Sequence, residues 1–170
     1  MTDDSLRFKL VAYDCIYCGQ PRTCYDHFPP RHTGVRRGFL LPACTECNST
    51  LGGRGGLDLG ERFDFVKRRL RDKNKRLLDT PQWSDEELDE LGPSLRRQAA
   101  AWTSNRSVIE KRLGWEPWAA LARLGVDEAE VEYVLSGALR ELQNSGPSKL
   151  IDRPRETHTA PLPAPSRGIL

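Results

Sequence analysis

The chain has 170 residues, of which 38% are hydrophobic and 29% are charged, and its formal net charge is +2. This length and composition predict a rather polar globular protein of one domain or two small ones. The first residues, Met1-Thr2-Asp3-Asp4, contain neither a basic start nor a long apolar run, which argues against a secretory signal and a transmembrane span. We therefore expect a cytoplasmic protein with no membrane partner, whose cysteines stay reduced.

The small net charge hides a division along the chain. Residues 1–78 carry 15 Lys and Arg against nine Asp and Glu, a net charge of +6. Residues 79–144 carry seven against 13, a net charge of −6, and residues 145–170 have a net charge of +2. A basic N-terminal part suits a phosphate-rich partner, and a solvated charged helix face is the ordinary alternative.

The first region in chain order is residues 1–60, which is rich in Gly, Pro and Cys. Short apolar runs, one containing Phe8, Leu10 and Val11 and the other covering residues 39–41, are typical of short strands. We expect this region to form one small module.

The second region, residues 61–144, is predicted to be helical. Its apolar residues recur at helical spacing, on a basic helix over 61–78 and on acidic helices over 84–144. A capping box at Ser84–Glu87 begins one helix and Asp127 caps another. Proline and polar residues then predict a disordered tail over 145–170, where His158 has no assigned role. The helical positions expected in the core are Phe63, Val66, Leu70, Leu77, Leu95, Ala99, Trp102, Ile109, Leu113, Val131, Val134, Leu135, Ala138 and Leu142.

Two Cys-x-x-Cys pairs carry the strongest spacing signal in the sequence. Cys15 and Cys18 form the first pair, and Cys44 and Cys47 form the second. Four thiolates in this arrangement can hold one tetrahedral Zn²⁺, which would stabilise a module too short to build a large core. Two disulfides or four unrelated buried thiols are the alternatives. The fifth cysteine, Cys24, is predicted to be a small buried apolar residue.

Asp26, His27 and Asn48 form a chemically sensible set beside these pairs. If the second pair begins a helix, Asn48 lies on its first turn and faces a strand that ends in Asp26-His27. The oxygens of Asp26 and Asn48 suit Mg²⁺. The imidazole of His27 can take a proton from water, and a metal on the phosphate would stabilise the developing charge. The chemistry described is hydrolysis of a phosphodiester.

These residues also carry a family resemblance, in the segments "CIYCGQP" and "YDHFPPRHTGVRRGFLLPACTECNSTLGG". They resemble the HNH, or His-Me finger, nucleases, and most of all the phage recombination endonuclease VII group. The resemblance covers about residues 13–53. It implies an α+β fold with a small zinc-stabilised, treble-clef-like ββα module, followed by the helical region and the disordered tail.

The resemblance implies roles for each matching residue. Cys15, Cys18, Cys44 and Cys47 would hold structural zinc, Asp26 and Asn48 would bind a catalytic Mg²⁺ or Mn²⁺, and His27 would be the general base. Two departures stand out. The segment "PPRH" replaces the usual charged residues, which makes His32 a surface residue or a phosphate contact, with surface preferred. The third histidine of HNH motifs is missing, and Asp58 or Glu61 are weak candidates for the last metal ligand.

The expected partner is DNA, with RNA less favoured. Guanidinium and ammonium groups match phosphate oxygens and give affinity without base specificity. A homodimer or a protein partner through residues 79–144 is compatible with this, and exposed Trp115 and Trp118 would favour it over core packing. The leading hypothesis is therefore a metal-dependent DNA endonuclease, and the alternatives are a non-catalytic zinc-finger binding module and a nuclease subunit targeted by a partner. The expected phosphate contacts are Arg36, Arg37, Arg54, Lys67, Arg68 and Arg71.

Overall fold

The computed structural model of the chain describes residues 7–52 and 58–144. Arg54, His158 and the predicted tail over 145–170 lie outside the described residues. The side chains of Ala138 and Leu142, which the sequence predicts in the core, lie outside them as well.

The described residues combine a small sheet with seven α-helices, which confirms a mixed α+β class. The strands are β1 (Arg7–Lys9), β2 (Cys24–Phe28) and β3 (Gly38–Ala43). The helices are α1 (Thr45–Leu51), α2 (Leu59–Lys73), α3 (Lys75–Asp79), α4 (Asp85–Glu90), α5 (Pro93–Leu113), α6 (Pro117–Arg123) and α7 (Glu128–Asn144).

The sheet has the strand order β1-β3-β2, so β3 is central and β2 lies at an edge. The strands β2 and β3 are antiparallel, and β1 pairs with β3 in parallel. A short 3-10 helix, Arg31–Thr33, lies in the connection between β2 and β3. The helix α1 follows β3 directly, so the ββα order is present, with β1 as an added strand.

Glycine is required where β3 begins. A Cβ atom at Gly38 would lie 2.1 Å from the carbonyl oxygen of Phe28, and the φ angle of Gly38 is +148°. A side chain would therefore meet both a backbone clash and an unfavourable conformation. The glycine lets the chain start β3 close against the end of β2.

The predicted basic helix over 61–78 is two helices, and this corrects the sequence interpretation. The break falls at Asn74, between α2 and α3. The backbone N–H and the side-chain amide of Asn74 both donate to the carbonyl oxygen of Leu70, at 3.2 and 2.8 Å. An Asn side chain that satisfies a helical carbonyl competes with helix continuation, which explains the break.

One hydrophobic cluster contains buried residues from the sheet, from α2 and from the later helices. Phe28 and Leu41 contribute from the sheet, Phe63 from α2, Leu121 from α6 and Val131 from α7. The boundary placed at residue 60 therefore crosses a shared core.

The expectation that Leu95 and Trp102 lie in the core is wrong, because their exposed fractions are 57% and 46%. Both belong to α5, which packs against α2, α3 and α4. The short helix α4 covers only part of its surface. Trp115 and Trp118, in contrast, are half-buried and pack against the core, as predicted.

The predicted helix starts are confirmed. Ser84 and Glu87 form a reciprocal capping box at α4, and the Asp127 carboxylate accepts from the Glu130 backbone N–H at 2.8 Å, at the start of α7. None of the described helices is long and apolar enough to cross a membrane.

Candidate metal centre and neighbouring polar site

The four paired cysteines come together at one point. The Sγ atoms of Cys15, Cys18, Cys44 and Cys47 all lie within 4.8 Å of one another, and all four residues are buried. Among the described residues, they form the one group of three or more His, Cys, Asp or Glu side chains close enough to share an ion. The group could hold a metal ion such as zinc.

Local structure explains how each pair presents its sulfurs. The first pair lies in a tight turn, where the Gly19 N–H donates to the Cys15 carbonyl at 2.9 Å and Gly19 has a φ of +68°. In the second pair, Cys44 is the N-cap of α1 and its sulfur accepts from the Cys47 N–H at 3.4 Å. Two short and rigid local motifs therefore face each other across the cluster.

Hydrogen bonds among the four thiols shift their pKa values in opposite directions. Hydrogen bonding with Cys18 raises the pKa of Cys15, and hydrogen bonding with Cys15 raises the pKa of Cys47. Hydrogen bonding with Cys15 also lowers the pKa of Cys18 to about 7 and lowers that of Cys44. A bound cation would favour all four thiolates. All five cysteines of the chain are free thiols, which argues against the disulfide alternative.

Cys24 lies outside the cluster and is half-buried on β2. Its thiol donates to the Ala43 carbonyl at 3.4 Å, and its sulfur accepts from the side-chain amide of Asn48 at 3.5 Å. Cys24 therefore contacts a candidate site residue, a link that sequence reasoning missed.

The end of α5 docks on the first cysteine pair. The indole Nε1 of Trp115 donates to the Ile16 carbonyl at 3.0 Å. The Trp115 ring lies so close to Gly19 that a Cβ there would be 2.4 Å away. Arg112 donates to the sulfur of Cys18 at 3.7 Å, as an outer partner of the metal centre. Because these residues are more than 90 positions apart, no local pattern predicts the contact.

Asp26 is buried and bound on one side. Its Oδ2 accepts from the Tyr17 hydroxyl and from Arg62 Nη2, the latter at 2.5 Å. Burial and the charge of Asp26 raise the pKa of Tyr17 well above its usual value, so the hydroxyl keeps its proton and donates. Both contacts use Oδ2, and the Asp26 side chain is 7% exposed. Neither of these two contacts involves Oδ1.

Asn48 and Asp26 lie on the same side of the sheet. Residues two apart on a strand point to the same face, so Cys24 and Asp26 share one face of β2. The contact between Asn48 and the Cys24 sulfur places α1 over that face. The structure therefore brings Asp26 and Asn48 to one side of the hairpin.

His27 projects to the other face, because successive strand residues point in opposite directions. It is half-buried and lies opposite Leu40. Tyr25 shares this face, with Lys9 Nζ 4.7 Å and Arg22 Cζ 4.8 Å from its ring centroid. The face of the sheet that carries His27 therefore also carries two cations, beside Tyr25.

The remaining candidates are dispersed. His32 is exposed in the 3-10 helix, as preferred from the sequence. Asp58 caps α2 by accepting from the Glu61 N–H at 2.9 Å, and both residues are exposed. Neither joins Asp26 in a shared ligand group of the described residues. Four of the expected phosphate contacts are at least partly accessible. Arg36 and Arg37 are exposed before β3, Arg68 is exposed on α2, and Lys67 is half-buried on the same helix.

The chain has no significant match to a protein-family model, to a curated protein or to a solved structure. The resemblance to the HNH nucleases therefore rests on the residues described above.

Proposed function

We propose that the protein is a metal-dependent endonuclease that hydrolyses phosphodiester bonds in DNA. The observation that carries the proposal is the placement of Asp26 and Asn48 on one side of a hairpin whose ends meet at the four-cysteine cluster. Zinc held by these cysteines would fix the hairpin and α1 together.

The donors on this face suit a hard divalent cation. A carboxylate oxygen and an amide oxygen are ligands that Mg²⁺ and Mn²⁺ accept, with water and phosphate in the other positions. Asp26 has the support that a ligating carboxylate usually has, since Tyr17 and Arg62 fix its Oδ2. When bound, the cation would supply Lewis-acid stabilisation of the phosphate.

Asp26 and His27 are neighbours on β2, which lies at the edge of the sheet, and point to opposite faces. A phosphate that contacts both would lie along this edge. His27 accepts the proton of the attacking water. Lys9 and Arg22 lie beside the Tyr25 ring, and their positive charges favour an anionic substrate on the side of His27.

A non-catalytic zinc-finger module that binds nucleic acid is the second candidate. The Arg62 guanidinium pairs with Asp26 and offsets its charge, which weakens attraction for a cation. A structural role for Asp26 follows directly from this pairing, and it would leave the basic residues as the functional surface.

A cleavage assay on the zinc-loaded protein separates the two. Supercoiled plasmid, linear duplex, branched DNA and RNA are incubated with Mg²⁺ and, in parallel, without it. We expect Mg²⁺-dependent cleavage of DNA, a loss of rate of about 10²- to 10⁴-fold in His27→Ala, and little change in His32→Ala, the matched exposed histidine. If the wild type binds DNA but cleaves none of the substrates, the binding module is the correct reading.

A further inference from the structure

An open groove of about 570 Å³ lies between the ends of α1 and α2, immediately after Asn48. Its polar lining consists of the hydroxyls of Ser49 and Thr50 and the charged groups of Arg69, Asp72 and Lys73. Two cations and two hydroxyl donors face one carboxylate, so the lining favours an anion.

Lys73 can contact a ligand without leaving a carboxylate unpaired. It pairs with Oε1 of Glu46 at 2.5 Å, while Arg112 Nη2 donates to Oε2 of the same carboxylate at 2.6 Å. Arg112 therefore remains as a partner for the Glu46 carboxylate when Lys73 contacts a ligand. The Lys73 side chain is 67% exposed, which leaves it accessible from the groove.

Helix geometry selects which cations of α2 serve the groove. Arg69 and Lys73 are four residues apart and share one side of the helix. Arg71 is two residues from each of them and points nearly the opposite way. The groove therefore takes its cations from Arg69 and Lys73, which are not among the phosphate contacts expected from the sequence.

We propose that this groove binds the phosphodiester backbone of the nucleic-acid substrate, with Arg69 and Lys73 as its cationic contacts. The assignment rests on the proposed function, because Asn48 lies on the turn that leads into the groove. A strand held there would pass from Asn48 along the gap between α1 and α2. The lining offers contacts to phosphate groups, which do not depend on the base sequence of the nucleic acid.

The test is binding of a fluorescein-labelled DNA oligonucleotide, measured by anisotropy in Mg²⁺ over a range of salt concentrations. All variants carry His27→Ala, so that no substrate is consumed. We expect Arg69→Gln and Lys73→Gln each to weaken binding about tenfold and to lower the slope of log affinity against log salt by about one. Arg71→Gln is expected to weaken DNA binding less. Arg97 is exposed on α5, and Arg97→Gln is expected to change neither the affinity nor the salt slope.

Equal losses of DNA affinity in Arg69→Gln and Arg71→Gln would mean that α2 attracts DNA through its overall positive charge. That result would overturn the proposed binding groove. Displacement of the oligonucleotide by inorganic phosphate at a similar concentration would also overturn it, since the site would then take free phosphate. Binding does not require cleavage, so a protein that binds in this pattern but cuts nothing would refute the endonuclease alone.

Discussion

Arg62 of α2 and Asp26 of β2 form a buried ion pair, with 2.5 Å between Nη2 and Oδ2. The Arg62 side chain has no exposed surface, and its Nε and Nη1 have no hydrogen-bond partner among the described residues. Its Cζ lies 5.8 Å from the ring centroid of Phe28. The pair therefore joins the basic helix to the strand that carries two candidate site residues.

Removing the arginine is predicted to destabilise the fold. In Arg62→Met the Asp26 carboxylate stays buried without its counterion, and we expect a loss of about 3–5 kcal/mol in the free energy of unfolding. The double variant Arg62→Met with Asp26→Asn should recover most of this loss, because no buried charge is left alone. Urea titrations of the single and double variants measure both values. A loss below about 1 kcal/mol in Arg62→Met would show that the pair is not buried in solution.

The cysteine cluster is predicted to bind one zinc ion per chain. The Cys44→Ser variant should not bind zinc, and its unfolding transition should lose most of its cooperativity, because metal binding and folding are coupled in such modules. Cys24→Ser is the matched control, since Cys24 lies outside the cluster. Metal analysis with thermal unfolding tests this, and loss of zinc from both variants, or from neither, would contradict it.

The same cluster predicts a pH dependence. Metal binds the thiolate, and hydrogen bonding with Cys15 places the pKa of Cys18 at about 7. Protons compete for the sulfurs as the pH falls, and the pKa values of Cys15 and Cys47 are raised, so zinc affinity should decrease on acidification across the neutral range. A competition titration with a chromogenic chelator at several pH values measures this. An affinity that rises on acidification would be the opposite of the expected sign.

Substitution of Gly19 is predicted to destabilise the protein, because the Trp115 ring leaves no room for a side chain. In Gly19→Ala the new Cβ would meet the indole ring at 2.4 Å, at a φ of +68°. We expect a loss of about 1–3 kcal/mol. Gly137→Ala, within α7 and with open space around it, should instead stabilise the protein by up to about 1 kcal/mol. Similar unfolding midpoints for the two variants would mean that α5 does not dock on the first cysteine pair.

Features set by local chemistry were predictable from the sequence. The spacing of Cys15, Cys18, Cys44 and Cys47 predicted the cluster, and the capping box at Ser84 predicted a helix start. Of the two short apolar runs, the one over residues 39–41 located β3 and the one at Phe8 overlaps β1, because strand and cap signals depend on neighbouring residues.

Contacts between distant residues were not predictable in the same way. Charge alone does not distinguish Arg62, the buried cation of α2, from the other cations of that helix. Its spacing offered a signal, since Arg62 lies three residues after Leu59 and four before Val66, on the apolar side of the helix. The break at Asn74 comes from its own side chain, a local signal that sequence reasoning missed. The exposure of Trp102 depends on tertiary packing, which overrides local propensity.

Binding of Mn²⁺ to the zinc-loaded protein, followed by electron paramagnetic resonance, tests whether Asp26 and Asn48 hold a divalent cation. We expect one Mn²⁺ site per chain, weakened at least about tenfold in Asn48→Ala and unchanged in Asn105→Ala, an exposed asparagine on α5. Equal Mn²⁺ affinity in wild type and Asn48→Ala, or no Mn²⁺ binding by the wild type, would contradict it.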